Sequence, residues 1–179
     1  ATWFDLDMPD VYNIWKHFFK EHARRIFLAY SAFDSTWVEV VKEKSSGPYI
    51  FIMEGSIVYF EEKLVKGLWK MIADNFGDSH MLFDSINHSW ANQQNNNHAM
   101  KTVDARLKWA INDIYSIENW DKRYRVLKHE HLINPSIEIR KIYPWWILAS
   151  TPFAKLFFGD ALSGYYLNMA AIRGGNLSS

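Results

Sequence analysis

Three acidic side chains lie where predicted strands of this chain end. Asp7 and Glu54 directly follow short apolar runs, and Asp34 comes shortly after another. The carboxyl ends of parallel strands meet at one edge of a sheet, where open α/β sheets bind ligands. A carboxylate there can accept hydrogen bonds from both hydroxyls of a ribose. Two plainer roles compete: Asp7 could cap the helix that starts at Pro9, and Glu54 could cap the next helix or form a surface ion pair.

Two histidines could also carry chemistry. His129 and His131 share one face of a predicted strand, because side chains alternate in direction along a strand. They could form half of a metal site, but no third ligand lies nearby in the sequence, so we predict a surface pair and no metal. The chain contains no G-x-S-x-G elbow, no G-x-G and no G-x-x-x-x-G-K-[ST] loop. No catalytic residue can be assigned from these patterns.

The elements that must position the acids alternate along residues 2–85. Tyr49–Met53 is a continuous apolar run, typical of a strand covered on both faces, and it stops at Glu54 and Gly55. The other predicted strands are Thr2–Leu6, Arg25–Tyr30 and Ser79–Ser85. Three helices are predicted between the strands from apolar residues at helical spacing. These residues are Val11, Ile14, Trp15, Phe18 and Phe19 in the first helix, Trp37, Val40 and Val41 in the second, and Leu64, Val65, Leu68, Trp69, Ile72 and Phe76 in the third. Strand–helix alternation predicts a mostly parallel sheet in a layered α/β fold.

The second half of the chain is less regular. In order, the patterns predict a polar loop at 87–101, a partly helical stretch at 109–120 with Asp113 as its N-cap, a strand at Tyr124–His131, an aromatic helical region at 137–158 and a last strand at 162–172. We find no repeat and no linker, so the sequence predicts one domain over residues 1–179.

Composition narrows the function classes. The 179 residues carry 20 Lys and Arg against 20 Asp and Glu, so no basic surplus indicates nucleic acid or an anionic membrane. No run approaches the length of a membrane span. The absence of cysteine rules out thiolate metal sites and a cysteine nucleophile and fits a reducing compartment, so we predict a cytoplasmic protein.

Three segments resemble a known family. Residues 3–11 (WFDLDMPDV), 31–37 (SAFDSTW) and 52–76 (IMEGSIVYFEEKLVKGLWKMIADNF) are similar in sequence and spacing to the leucine carboxyl methyltransferase-like family. That family includes O-methyltransferases of polyketide synthesis. The resemblance implies a three-layer, Rossmann-like class I methyltransferase fold that binds S-adenosylmethionine and methylates a carboxylate or hydroxyl of a small molecule.

The resemblance also implies roles for particular residues. Asp7 would bind the ribose of the cofactor, Glu54 and Gly55 would face its methionine end, and Tyr59 would lie close to the methyl-transfer edge. Ser31 and Ala32 stand where the family often has Asp-Leu against the adenine, and Asp34 is the nearest retained acid. We expect the aromatic stretch 143–166, with Trp145 and Tyr165, to line the acceptor pocket together with Tyr59.

The sequence departs from the family pattern at its start. The family's first strand and its Gly-rich loop would precede Ala1, so the chain looks like the C-terminal two-thirds of a methyltransferase. The rest could be lost, be supplied by another chain, or be unnecessary because the activity was given up. The competing hypothesis is therefore a non-catalytic α/β interaction domain. A sheet without its central strand would expose an apolar edge, which predicts a homo-oligomer or a tightly bound partner fragment.

Overall fold

A computed structural model describes residues 1–94, 105–132, 141–142, 144–146 and 164–174. The strands are β1 (Trp3–Asp7), β2 (Arg25–Ala29), β3 (Ile50–Met53), β4 (Ser79–Ile86), β5 (Tyr124–His131) and β6 (Tyr165–Ile172). The α-helices are α1 (Pro9–Phe18), α2 (Thr36–Lys44), α3 (Glu62–Asn75) and α4 (His88–Asn92), and 3-10 turns cover Ile57–Tyr59 and Ile114–Asn119. The strand–helix alternation predicted for residues 2–85 is confirmed.

The strands form two sheets, which corrects the prediction of one mostly parallel sheet. Among the described residues β1 pairs only with β2, in parallel, while the second sheet has the order β3-β4-β6-β5. Only the β3–β4 pair of that sheet is parallel, and β6 runs antiparallel to both β4 and β5. The prediction failed because strand–helix alternation, which enforces parallel pairing, does not continue beyond β4.

The helix α1 begins at Pro9 as predicted, but its apolar stripe is only partly buried. Trp15 packs on Phe27 of β2, with ring centroids 5.3 Å apart, and is the one buried residue of the helix. The Ile14 side chain is 65% exposed and that of Phe18 is 76% exposed. The sequence pattern therefore located the helix but overestimated how much of it the described residues cover.

The main core lies between α2, α3 and the second sheet. Trp69 of α3 is fully buried and meets Phe83 of β4 and Tyr124 of β5 edge-on, each at 5.1 Å between ring centroids. Burying rings of this size contributes most of the apolar area in such a core. Gly77 lies two residues after the end of α3. A Cβ added to Gly77 would lie 2.8 Å from Cα of Gly174, so only glycine fits there.

The second half partly follows the sequence. The strand Tyr124–His131 and the N-cap at Asp113, which accepts a hydrogen bond from Tyr115 N at 3.0 Å, are confirmed. The predicted loop at 87–101 is wrong at its start, because Asn87 accepts a hydrogen bond from Trp90 N at 2.7 Å and caps the short helix α4. Most of the predicted aromatic helical region lies outside the described residues. Within the described ranges, no helix combines the length and apolarity needed to cross a membrane.

Candidate functional site

A sharp turn at Glu54 and Gly55 ends β3. Gly55 has φ of +59°, the left-handed region that side-chain-bearing residues rarely adopt. An added Cβ there would meet nothing within 4 Å, so backbone conformation alone selects glycine. The turn leads into the 3-10 segment, where Ile57 and Val58 are buried. The turn is thus fastened to the core while Glu54 stays exposed.

A buried carboxylate on the neighbouring strand holds this turn. The register pairs Met53 with Phe83, so Asp84 lies beside the point where β3 ends. Asp84 is 1% exposed, and its Oδ2 accepts a hydrogen bond from Gly55 N at 3.0 Å. The same oxygen accepts a hydrogen bond from the Tyr165 hydroxyl of β6. Asp84 therefore connects β3, β4 and β6 at one point.

The environment of Tyr165 keeps its hydroxyl protonated. Burial raises the pKa of this phenol most, followed by its hydrogen bond to Asp84 and by the negative charges of Asp84 and Glu54, with a smaller effect of Tyr59. A phenol with a raised pKa donates a hydrogen bond and is a poor general base near neutral pH. The effects of Glu54 and Tyr59 also show that two predicted site residues lie near Tyr165.

The carboxylates of Asp7 and Glu54 remain available to a ligand. Asp7 is exposed at the end of β1, and within the described part of the chain its Oδ1 accepts only the N–H of Met8, at 2.8 Å. It does not cap α1, because the N-cap residue is Met8 and makes no side-chain cap bond. Glu54 makes no ion pair or side-chain hydrogen bond with the described residues, so neither competing role predicted for it is seen among them. Two open carboxylates suit the hydroxyls of a ribose and the ammonium group of an amino acid.

The segment after β2 is held mainly by its own hydrogen bonds. Ser31 Oγ accepts from Phe33 N at 3.3 Å, and the Ala32 carbonyl accepts from Trp37 Nε1 at 3.1 Å. Asp34 Oδ1 accepts from both Thr36 N, at 2.8 Å, and Thr36 Oγ1, at 2.6 Å, and these two bonds lower the pKa of Asp34. Asp34 therefore serves the start of α2, while Ser31 and Ala32 lie half-buried beside it.

The predicted acceptor residues have different surroundings. Tyr59 is half-buried in the 3-10 turn, and Tyr165 lies on β6 against Asp84. Trp145 is 79% exposed in the short described segment 144–146, and the residues 147–163 that follow lie outside the described ranges. The described contacts thus place two of the three aromatics near the Glu54 turn.

Sequence reasoning missed Asp84 altogether. It lies inside the strand pattern of residues 79–85, whereas the acids predicted to bind a ligand lie beyond strand ends. The available signal was its type, because an acid within an otherwise buried strand is rare and needs hydrogen-bond partners.

The histidine pair lies on the face of β5 and β6 that carries Asn168. His129 and His131 share one face as predicted, each with its ring centroid 4.5 Å from that of Tyr166. His129 Nδ1 lies 2.7 Å from Asn168 Oδ1, which fixes the ring. Among the described residues, no three His, Cys, Asp or Glu side chains are grouped so that they could hold a metal ion.

Comparisons with known proteins find similarity in structure but not in sequence. No protein-family profile and no curated protein matches the chain. A DUF574 family protein from Streptomyces avermitilis matches with a TM-score of 0.60 and 10% identity, covering 95% of this chain and 64% of that one. The chain thus spans less than two thirds of that protein's length.

Two methyltransferases match over nearly the whole chain. The N-methyltransferase NodS from Bradyrhizobium japonicum has a TM-score of 0.52 at 8% identity, with 96% of this chain and 74% of that one covered. Human N-acetylserotonin methyltransferase, solved with SAM, has a TM-score of 0.51 at 11% identity, with 97% and 41% covered. The chain therefore has the α/β fold, with a mixed sheet, of S-adenosylmethionine-dependent methyltransferases.

Proposed function

We propose that this chain forms the cofactor site of an S-adenosylmethionine-dependent methyltransferase. The observation that carries the proposal is the Glu54–Gly55 turn at the end of β3, held by buried Asp84 within a methyltransferase fold. An exposed carboxylate on a fixed turn is suited to bind a charged ligand group at the edge where α/β sheets bind ligands. The sequence resemblance to a methyltransferase family supports the same site.

Different residues are assigned to different parts of the cofactor. We assign Asp7 to the ribose hydroxyls, the segment Ser31–Asp34 to the adenine side, and Glu54 with Gly55 to the methionine end. Asp7 and Glu54 fit these roles because both are exposed acceptors, whereas Asp34 has one oxygen already bonded to Thr36. When bound, S-adenosylmethionine supplies an electrophilic methyl group, and the protein contributes orientation and exclusion of water.

The acceptor atom is proposed to be an oxygen of a small molecule. The resemblance to the leucine carboxyl methyltransferase-like family supports a carboxylate or a hydroxyl. A carboxylate needs no general base, whereas a hydroxyl does. The raised pKa of Tyr165 makes it unsuitable as that base near neutral pH.

Calorimetric titration with S-adenosylhomocysteine tests the cofactor site. We expect micromolar binding by the unmodified protein, and a loss of at least tenfold in Glu54→Ala, because a charged contact contributes about 1.5–3 kcal/mol. Glu43→Ala, which removes an exposed carboxylate on α2, is the matched control and should bind like the unmodified protein. Absence of binding by folded protein would refute the proposal.

One observation favours a second function, that of an interaction domain. Phe51 of β3 contacts Trp37 of α2, so alternate residues of the strand point to the opposite face. On that face Ile50 is 64% exposed and Ile52 is 54% exposed. Among the described residues, β3 also pairs only on its β4 side. An exposed apolar edge strand favours pairing with another chain, and the occupant we propose is a second copy, whose zero net charge gives no long-range repulsion.

A further inference from the structure

We propose that Asp84 is the positioning residue of the cofactor site: it fixes the Glu54 carboxylate by holding Gly55 N–H and the Tyr165 hydroxyl together. This inference rests on the proposed function. It assigns to Asp84 a role through Glu54 and no contact with the ligand.

The first step concerns what can orient Glu54. Its side chain is exposed and has no ion pair or hydrogen bond with the described residues. The direction of its Cα–Cβ bond, from which the carboxylate extends, is therefore set by the backbone at the end of β3. That backbone turns at Gly55, which has a left-handed conformation. Glycine can adopt other φ and ψ values almost as easily, so its own preference does not select this conformation. The hydrogen bond from Gly55 N to Asp84 Oδ2, with 3.0 Å between the two atoms, is the contact that selects one conformation.

The second step concerns the chemistry of Asp84. Its carboxylate is 1% exposed and has no cationic partner among the described residues, and its Oδ1 has no hydrogen-bond partner there. Burying such a group is costly, and a leucine or valine would serve β4 better if packing were its only purpose. Both donors converge on the other oxygen, Oδ2. Asp84 is thus placed to hold the turn rather than to stabilise the strand.

The third step concerns Tyr165. It lies on β6 opposite Ile86, so its hydroxyl reaches Asp84 from the strand on the far side of β4. The contact with Asp84 contributes to the raised pKa of this phenol. The Tyr165 hydroxyl therefore holds Asp84 from one side, and Asp84 holds Gly55 on the other. Removing the Tyr165 hydroxyl should weaken ligand binding less than changing the Asp84 carboxylate.

The test is a double-mutant cycle on the full chain, read by calorimetric titration with S-adenosylhomocysteine. We expect Asp84→Asn to weaken binding about tenfold and Tyr165→Phe about threefold, from the usual strength of charged and neutral hydrogen bonds. Because Asp84 acts through Glu54, Glu54→Ala with Asp84→Asn should bind no worse than Glu54→Ala alone. Additive losses in the double variant would overturn the positioning role.

A control and a second readout separate this role from simple destabilisation. Asp78 Oδ1 accepts the N–H of Gly174 at 3.0 Å near the other end of β4, so Asp78→Asn removes the charge from a similar carboxylate–glycine bond and should leave binding unchanged. The near-ultraviolet absorbance of Tyr165 at neutral pH, taken as the difference from Tyr165→Phe, should move to shorter wavelength in Asp84→Asn, because the phenol loses a charged hydrogen-bond acceptor. An unmoved spectrum would overturn the contact itself. Failure of the unmodified protein to bind would instead refute the proposed function, and the ligand-positioning role with it.

Discussion

At the scale of single residues, the candidate site depends on one backbone angle and one buried carboxylate. Gly55 supplies a φ of +59°, and Asp84 holds the amide of that residue from the neighbouring strand. The φ angle of Gly55 and its hydrogen bond to Asp84 do not involve the exposed Glu54 side chain, but both set the direction in which that side chain leaves the backbone. A ligand site built this way has its binding group on the surface and its support inside the sheet.

Alanine at Gly55 should cost stability through the backbone alone. A left-handed alanine is unfavourable by about 1–2 kcal/mol, and no neighbouring atom would add a clash. Urea unfolding of Gly55→Ala should therefore show a lower midpoint.

Gly67 provides a control of opposite sign. It lies exposed within α3, with nothing within 4 Å of an added Cβ, so Gly67→Ala should raise stability by about 0.5–1 kcal/mol. Equal shifts of the two midpoints would contradict the conformational explanation for Gly55.

The sequence predicted part of this arrangement. A carboxylate and glycine after an apolar strand were enough to locate the turn at Glu54. The partner of the turn could not be found the same way, because the proximity of Asp84 depends on the register between β3 and β4. Register is set by long-range packing, which a local pattern does not contain.

At the scale of elements, an ion cluster joins the end of α3 to the approach of β5. Arg123 Nη2 lies 2.9 Å from Asp74 Oδ1 and 2.6 Å from Asp121 Oδ2. The pKa of Asp74 is lowered by hydrogen bonds from Lys70 and then Arg123, and that of Asp121 by its hydrogen bond with Arg123. The cluster therefore connects two elements that the sequence places far apart.

This cluster predicts a pH dependence of stability. Folded-state pKa values below the ordinary 3.8 mean that the two carboxylates contribute stability above about pH 4 and lose it as pH falls through the folded pKa. Arg123→Ala should thus lower the thermal midpoint at pH 7, and the difference from the unmodified protein should shrink as the pH falls below about 4.

The control for this effect is the neighbouring cation. Lys122→Ala removes an exposed charge beside the cluster and should change the midpoint little at any pH. A deficit in Arg123→Ala that stays constant across the acidic range would show that lost packing, and not the ion cluster, causes it.

Elements were predicted better than their pairing. Apolar runs and helical periodicity located β1 to β4, α1 and α3, because each of these elements carries its apolar pattern within a short stretch of sequence. The antiparallel pairing of β6 with β4 and β5 was not predicted, since these strands are adjacent in space but lie far apart in the sequence. The exposed Ile14 and Phe18 likewise show that a helical stripe does not say what covers it.

At the scale of the whole molecule, the exposed face of β3 predicts self-association. Light scattering over a concentration series should show a rising mean mass for the unmodified protein and a lower one for Ile52→Lys, because a charge on an edge strand opposes pairing. Leu127, 47% exposed on the opposite edge strand β5, offers the control Leu127→Lys, which should associate like the unmodified protein. A constant monomer mass at high concentration would count against the interaction hypothesis.

The central claim is that a cofactor analogue binds at the Glu54–Gly55 turn, and glycine-selective NMR tests it most directly. The chain has only eight glycines, so the amide signals of a ¹⁵N-glycine-labelled protein can be followed individually. Titration with S-adenosylhomocysteine should shift the Gly55 signal and leave those of Gly47 and Gly174 in place. A saturating titration in which Gly55 stays fixed, or in which only remote glycines move, would contradict the account.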